Sequence, residues 1–249
     1  MILSNLLAPK TEPASHRIVL NGQEVEFLIK RSARRRSIGL RVDFAGLVVS
    51  ASPRTSVRSI HSALRDNADW VCKKLRVWRD RTPPPAEWAH GALLPYLGGS
   101  ISLNILIQPR RTPKPWLDLA GLNLAFSAPP PSDQIKAKVC DWYRAEAKRF
   151  FLPRVEQLAH AADVPAPRFF VSNAQARWGS CTANGEIRLT WRLLKAAPQV
   201  IDYVAAHELA HLAHMDHSAK FWRRVAEIFP NYEAARDELR RNDAVYRMF

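Results

Sequence analysis

With 249 residues, the chain has room for one large domain or two small ones and enough length to bury a substantial core. Its 47% hydrophobic and 24% charged residues, with 8 Trp and 10 Phe, exclude intrinsic disorder. No run approaches the roughly 18 apolar residues of a membrane-spanning helix, so no membrane partner is expected. The formal charge of +14 is uneven: residues 1–131 hold 19 basic and 9 acidic side chains, and residues 132–249 hold 18 and 14.

The opening Met1-Ile2-Leu3-Ser4-Asn5-Leu6-Leu7 lacks the charged start and sustained apolar stretch of a secretory signal. Cys72, Cys140 and Cys181, an odd and widely spaced set, fit neither a disulfide framework nor a zinc ribbon. The expectation is a reduced cytoplasmic protein. Two strands, Arg17–Leu20 and Gln23–Ile29, flank Asn21-Gly22, a pair that tolerates a tight primed turn. The basic stretch Arg31–Arg41, with Arg34-Arg35-Arg36, follows, and its field attracts polyanions as well as serving solubility. A second hairpin joins Ser37–Asp43 to Leu47–Ala51 through Ala45-Gly46.

Val57, Ile60, Leu64, Ala68, Val71, Leu75 and Trp78 then recur at three- and four-residue steps, which predicts one long amphipathic helix capped by Ser56. Thr82-Pro83-Pro84-Pro85 stops it. Two more strand pairs are expected around Gly98-Gly99 and Gly121, ending at Phe126. Pro129-Pro130-Pro131-Ser132 is the candidate boundary, dividing residues 1–131 from 132–249. Beyond it, a helix from about Asp133 to Ala161 presents Ile135, Val139, Trp142, Tyr143 and Phe150 on its apolar side, with a kink or split expected at Pro153. Short strands follow at Arg168–Ser172, Ala176–Cys181 and Glu186–Trp191, the last two joined by Thr182-Ala183-Asn184-Gly185. From Pro198 onward the pattern is helical, with breaks near Met215-Asp216 and at Pro230.

His207-Glu208-Leu209-Ala210-His211 lies inside the helix that Pro198 begins. Residues four apart stand about 5–6 Å apart on one helix face, so His207 and His211 can aim ring nitrogens at one ion. Glu208, one step along, reaches water at that ion without ligating it. Val204, Ala205, Leu209 and Leu212 seat the back of the helix in a core. A catalytic zinc site takes three protein ligands and keeps a fourth position open. On a continued helix His214 would stand about 10 Å from His207 along the axis, and three ligands in a row cannot converge on one tetrahedral ion. If the chain turns at His214-Met215-Asp216, His217 folds back over the metal instead, with Ser218 capping a helix whose apolar positions are Phe221, Trp222, Val225 and Phe229. His207, His211 and His217 are therefore the candidate ligands of Zn2+, and Glu208 is the candidate base.

Four further features bear on the site. Arg177, Tyr203 and Tyr246 are alternative oxyanion donors, among which the sequence does not choose. In Arg177-Trp178-Gly179-Ser180-Cys181, a packed strand in which Gly179 permits close approach to the metal helix outweighs a nucleophilic Cys181. Asp202 and Asp216 could orient ligand imidazoles or serve as cap and turn residues. The strand Glu186–Trp191 could pair with an extended substrate through a free edge.

His207-Glu208-Leu209-Ala210-His211, five intervening residues and His217-Ser218-Ala219-Lys220-Phe221-Trp222 resemble the YgjP-like metallopeptidases and, more distantly, SprT-like and WLM zinc proteases. Arg177–Cys181 and Ile201-Asp202-Tyr203 match the YgjP-like pattern as well, and the likeness is most specific over about residues 135–229. The resemblance implies a zincin-type catalytic domain with zinc on the positions of His207, His211 and His217 and the base at Glu208. The expected architecture is α+β. A basic, β-rich region with one long helix fills residues 1–131, and a zincin-like domain, an active-site helix with a small antiparallel sheet, fills 132–249. The expected activity is zinc-dependent peptide hydrolysis on a protein or peptide substrate. Two alternatives stand beside it: a metal-dependent amidase or deformylase, and a nucleic-acid-associated protein whose metal is structural.

Overall fold

The computed structural model describes residues 15–43, 46–81, 86–108 and 113–249. Ala45 of the second expected turn and the Thr82–Pro85 stop lie outside the described residues. The chain divides into two compact units, Met1–Pro83 and Pro84–Phe249.

In the first unit, β1 (Ser15–Leu20) and β2 (Gln23–Arg31) pair antiparallel about Asn21 and Gly22, whose φ of 48° and 75° are those of a primed turn. β3 (Gly39–Asp43) pairs antiparallel with β4 (Gly46–Ala51), and β4 also lies parallel to β2, giving the order β1-β2-β4-β3. Arg34, Arg35 and Arg36 stand exposed between β2 and β3. The expected single helix is two, α1 (Val57–Asp66) and α2 (Ala68–Arg81). Asn67 breaks it: its backbone leaves the helical region at φ −116° and ψ 22°, and its side-chain amide donates to the Ala63 carbonyl at 2.8 Å. Ile60, Leu64 and Val71 face the same core as Leu20, Phe27 and Val49 on both sides of the break, so the periodicity reads through it. The Ser56 hydroxyl caps α1 by accepting from the Ser59 amide at 3.0 Å.

The second unit begins with β5 (Leu93–Tyr96), β6 (Gly99–Ile107), β7 (Trp116–Asp118) and β8 (Gly121–Phe126) in the order β5-β6-β8-β7. Next comes α3 (Ser132–Ala161), unbroken through Pro153. A mid-helix proline costs about 3 kcal/mol, but Tyr143, Ala147, Phe151, Val155 and Ala159 stay buried at four-residue steps on both sides of it. Leu122, Leu124 and Phe126 of β8 share one core with Val139 and Tyr143 of α3. The proline run at 129–131 is therefore a connection inside this unit, and the division falls at Pro83/Pro84 instead.

A further sheet contains β9 (Arg168–Ser172), β10 (Gly179–Cys181) and β11 (Glu186–Thr190) in the order β10-β11-β9. It is mixed rather than antiparallel, because β11 lies antiparallel to β10 and parallel to β9. β11 is thus central and has no free edge for a substrate. A 3-10 turn (Trp191–Lys195) leads into α4 (Pro198–Ala210), followed by α5 (Ala219–Ile228), α6 (Tyr232–Arg241) and α7 (Asp243–Tyr246). α4 runs through the core: Ile201, Val204, Ala205, Ala206, Leu209 and Ala210 are all buried. Among the described residues, no helix is long and apolar enough to cross a membrane.

Candidate metal centre

α4 ends one residue before His211, and the chain tightens into i→i+3 bonds, Leu212 to Leu209 at 3.0 Å and Ala213 to Ala210 at 3.2 Å. The expected turn follows. The Asp216 carboxylate accepts from the Ser218 amide at 3.1 Å, and α5 begins at Ala219. Ser218 occupies the cap position but makes no side-chain cap bond.

This reversal brings His217 back to α4. The rings of His207, His211 and His217 lie 5.0, 5.1 and 4.8 Å apart by centroid, and one nitrogen from each falls within 4.8 Å of the others. The Nε2 atoms of His207 and His217 are 3.2 Å apart. Two imidazoles on one tetrahedral zinc, at bond lengths of about 2.0–2.1 Å, place their nitrogens about 3.3 Å apart, so the spacing fits the ion. The tautomer of His211 fits as well. His211 Nδ1 lies 3.0 Å from the His214 carbonyl, an acceptor, which puts the proton on Nδ1 and frees Nε2. The ring of His214 is outside the cluster.

Burial, and then the two neighbouring rings, lower the pKa of His207 to about 4. Burial also lowers that of His211. Both are neutral at physiological pH, the state in which imidazole ligates. Phe221, placed in the sequence only as an apolar position of α5, packs against all three rings at 4.9, 4.5 and 4.8 Å. Its position four residues after His217 was the available signal.

Glu208 is 5% exposed, and burial raises its pKa to about 8, partly opposed by the charge of Arg177. It opens with His207 onto a cavity of about 230 Å³ whose lining includes Arg177, Trp178, Gly179 and Tyr203. A larger cavity of about 410 Å³, lined by Arg144, Phe170 and Trp191 among others, holds none of the histidines. Gly179 passes so close that a β-carbon there would sit 2.4 Å from Glu208 Oε1 and 2.7 Å from Cδ. The close approach expected of this glycine is therefore made, and to the carboxylate itself.

The other candidates separate. Cys181 donates to the Thr182 carbonyl at 3.5 Å, and burial and then Glu208 push its thiol pKa up, away from a nucleophile. Asp202 takes a bidentate pair from Arg154, at 2.6 and 2.5 Å, tying α4 to α3 rather than orienting an imidazole. Asp216 serves the turn. The Tyr246 hydroxyl is engaged with Glu238 and Asn242 at 3.2 and 3.3 Å, and it is not part of the cavity lining, whereas Arg177 and Tyr203 are. Asp243, which no local pattern singles out, holds this wall, accepting from the Trp178 indole at 2.9 Å and from Arg247 at 2.8 Å. Trp178 and Asp243 are 65 residues apart in the chain.

Among known proteins, the YgjP-like, metallopeptidase domain matches residues 36–242. A solved structure, the metallopeptidase zymogen of Pyrococcus abyssi abylysin, is 25% identical, covering 37% of this chain and 90% of its own, with a TM-score of 0.34. No curated protein matches at a significant level. The family match takes in the histidine cluster, Glu208 and the Arg177–Cys181 wall, and by it the chain belongs to the YgjP-like metallopeptidase family, a metal-dependent hydrolase whose domain implies a protein or peptide substrate.

Proposed function

We propose that the chain is a zinc-dependent endopeptidase in which His207, His211 and His217 hold the metal and Glu208 is the general base. The observation that carries this reading is the convergence of three imidazole nitrogens within 4.8 Å, beside a buried carboxylate that opens onto the cavity lined by His207. When bound, zinc supplies a Lewis acid that acidifies water and polarises a carbonyl. In its ionised form Glu208 takes the proton from the attacking water and passes it to the leaving amine. Tyr203 lines the cavity where negative charge develops on the carbonyl oxygen. β10, an edge strand, carries Gly179 against Glu208, so an extended peptide added along β10 brings its carbonyl toward the cavity. The free thiols of Cys72, Cys140 and Cys181 suit a reducing compartment, the cytoplasm.

Casein hydrolysis tests the reading. It should vanish on chelation and return with added zinc, while formyl-peptide and small-amide substrates turn over far more slowly. The opposite preference would favour the amidase alternative. Gly179→Ala adds a sharper test. The added methyl must push the Glu208 carboxylate aside, and misplacing a catalytic group by about 1 Å costs on the order of 100-fold. The variant should therefore lose about 100-fold in hydrolysis while keeping its zinc. Full activity would mean that the carboxylate need not sit where Gly179 allows it.

A further inference from the structure

The cavity beside the histidines has a wall that the hydrolytic chemistry does not use. Arg177 lines it, is exposed, and makes no hydrogen bond or close ion pair among the described residues. The backbone on both sides of Arg177 is nonetheless fixed. The Trp178 indole is pinned to Asp243, the Arg247 guanidinium stacks 4.2 Å from the Trp178 ring and donates to the Gln175 carbonyl, and Gly179 packs on Glu208. A cation held in place by its backbone and left without a hydrogen-bond partner is what a binding residue needs, because little further order has to be imposed when a ligand arrives.

The surroundings set the sign of that ligand. Glu208 is the one carboxylate in the described lining of the cavity, and its carboxyl is almost wholly enclosed. Leu239 of α6 also lines the cavity, and Arg236 and Arg240 flank it on that helix. Their charges are felt at Tyr203, another lining residue. Asp237 balances them only in part, at 4.0 and 3.6 Å. A basic substrate side chain would meet cations here, while a carboxylate would meet a planar fork matched to its two oxygens.

We propose that Arg177 is a specificity-determining residue that binds a carboxylate of the peptide substrate, supplied by an acidic side chain near the scissile bond or by a free C-terminus. This rests on the reading of the site as a peptidase's, and binding is measured apart from cleavage so that the two can fail separately. The probes are fluorescein-labelled octapeptides, paired as Glu against Gln at each position in turn and as free acid against C-terminal amide. Their affinities for the zinc-loaded Glu208→Gln protein are read by anisotropy.

One class of carboxylate peptide should bind about tenfold more tightly than its neutral partner, the scale of a charge-assisted hydrogen bond. A preference in the Glu/Gln pairs identifies the side chain as the source, and one in the acid/amide pair identifies the C-terminus. Arg177→Gln should bring the ratio to about one, and Arg177→Lys should restore part of it, since the charge returns without the fork. A ratio near one in the Arg177 protein, or an equal loss for both members of a pair on Arg177→Gln, overturns the proposal. Discrimination without cleavage by the protein carrying Glu208 keeps the carboxylate subsite and rejects the peptidase; cleavage without discrimination does the reverse.

Discussion

Replacing Glu208 by Gln is expected to leave zinc bound at about one ion per chain and to cut peptide hydrolysis by about 100- to 10,000-fold, the usual worth of a positioned base. The substitution keeps the shape of a side chain that is 5% exposed and packed on Gly179, so the cavity keeps its form. It removes the group that accepts a proton. No other lining residue can replace it: Arg177 is a cation, and burial raises the pKa of the Tyr203 phenol above its usual value, so that it stays protonated. Burial also disfavours the ionised Glu208 carboxyl, so a neutral amide of the same size should not lower thermal stability. Zinc content by elemental analysis and initial rates on one peptide check the pair of expectations. Undiminished turnover by Glu208→Gln would remove this carboxylate from its role.

His217→Ala should weaken zinc binding by more than about 100-fold, whereas His214→Ala should leave it nearly unchanged. The lower bound follows because losing a mere supporting contact to a ligand already costs about 10- to 100-fold. The contrast has a specific origin. The ring of His217 lies among the converging nitrogens, and that of His214 does not. What His214 contributes is its backbone carbonyl, 3.0 Å from His211 Nδ1, and alanine retains it. Competition with a zinc chelator measures both affinities, and the reverse order would mean that the ligand set is misassigned.

Much of this site was legible because its signals are local. The four-residue spacing of His207 and His211, and the impossibility of stacking a third ligand on the same helix, pointed to a chain reversal before His217. Gly179 was legible as a close approach, though not its target, since nothing local ties residue 179 to residue 208. What escaped the sequence was set at long range. The parallel pairings of β2 with β4, β6 with β8 and β9 with β11 join segments that are not consecutive, and the last of them buries the edge of β11. The break at Asn67 is invisible to a stripe that continues across it. The proline runs at 83–85 and 129–131 look alike in composition, and only the burial of β8 against α3 shows that the second is internal. The nucleic-acid alternative rests on charge alone, because Arg34, Arg35 and Arg36 stand exposed between β2 and β3, where guanidinium groups are solvated whether or not phosphate binds.

X-ray absorption at the zinc edge of the purified, zinc-loaded protein asks directly whether three imidazoles hold the ion. Three nitrogen scatterers at about 2.0–2.1 Å and a light fourth neighbour, with one nitrogen lost in His217→Ala, are the predicted result. A sulfur scatterer at about 2.3 Å, which would bring Cys181 into the first sphere, or a spectrum unchanged by His217→Ala, would contradict it.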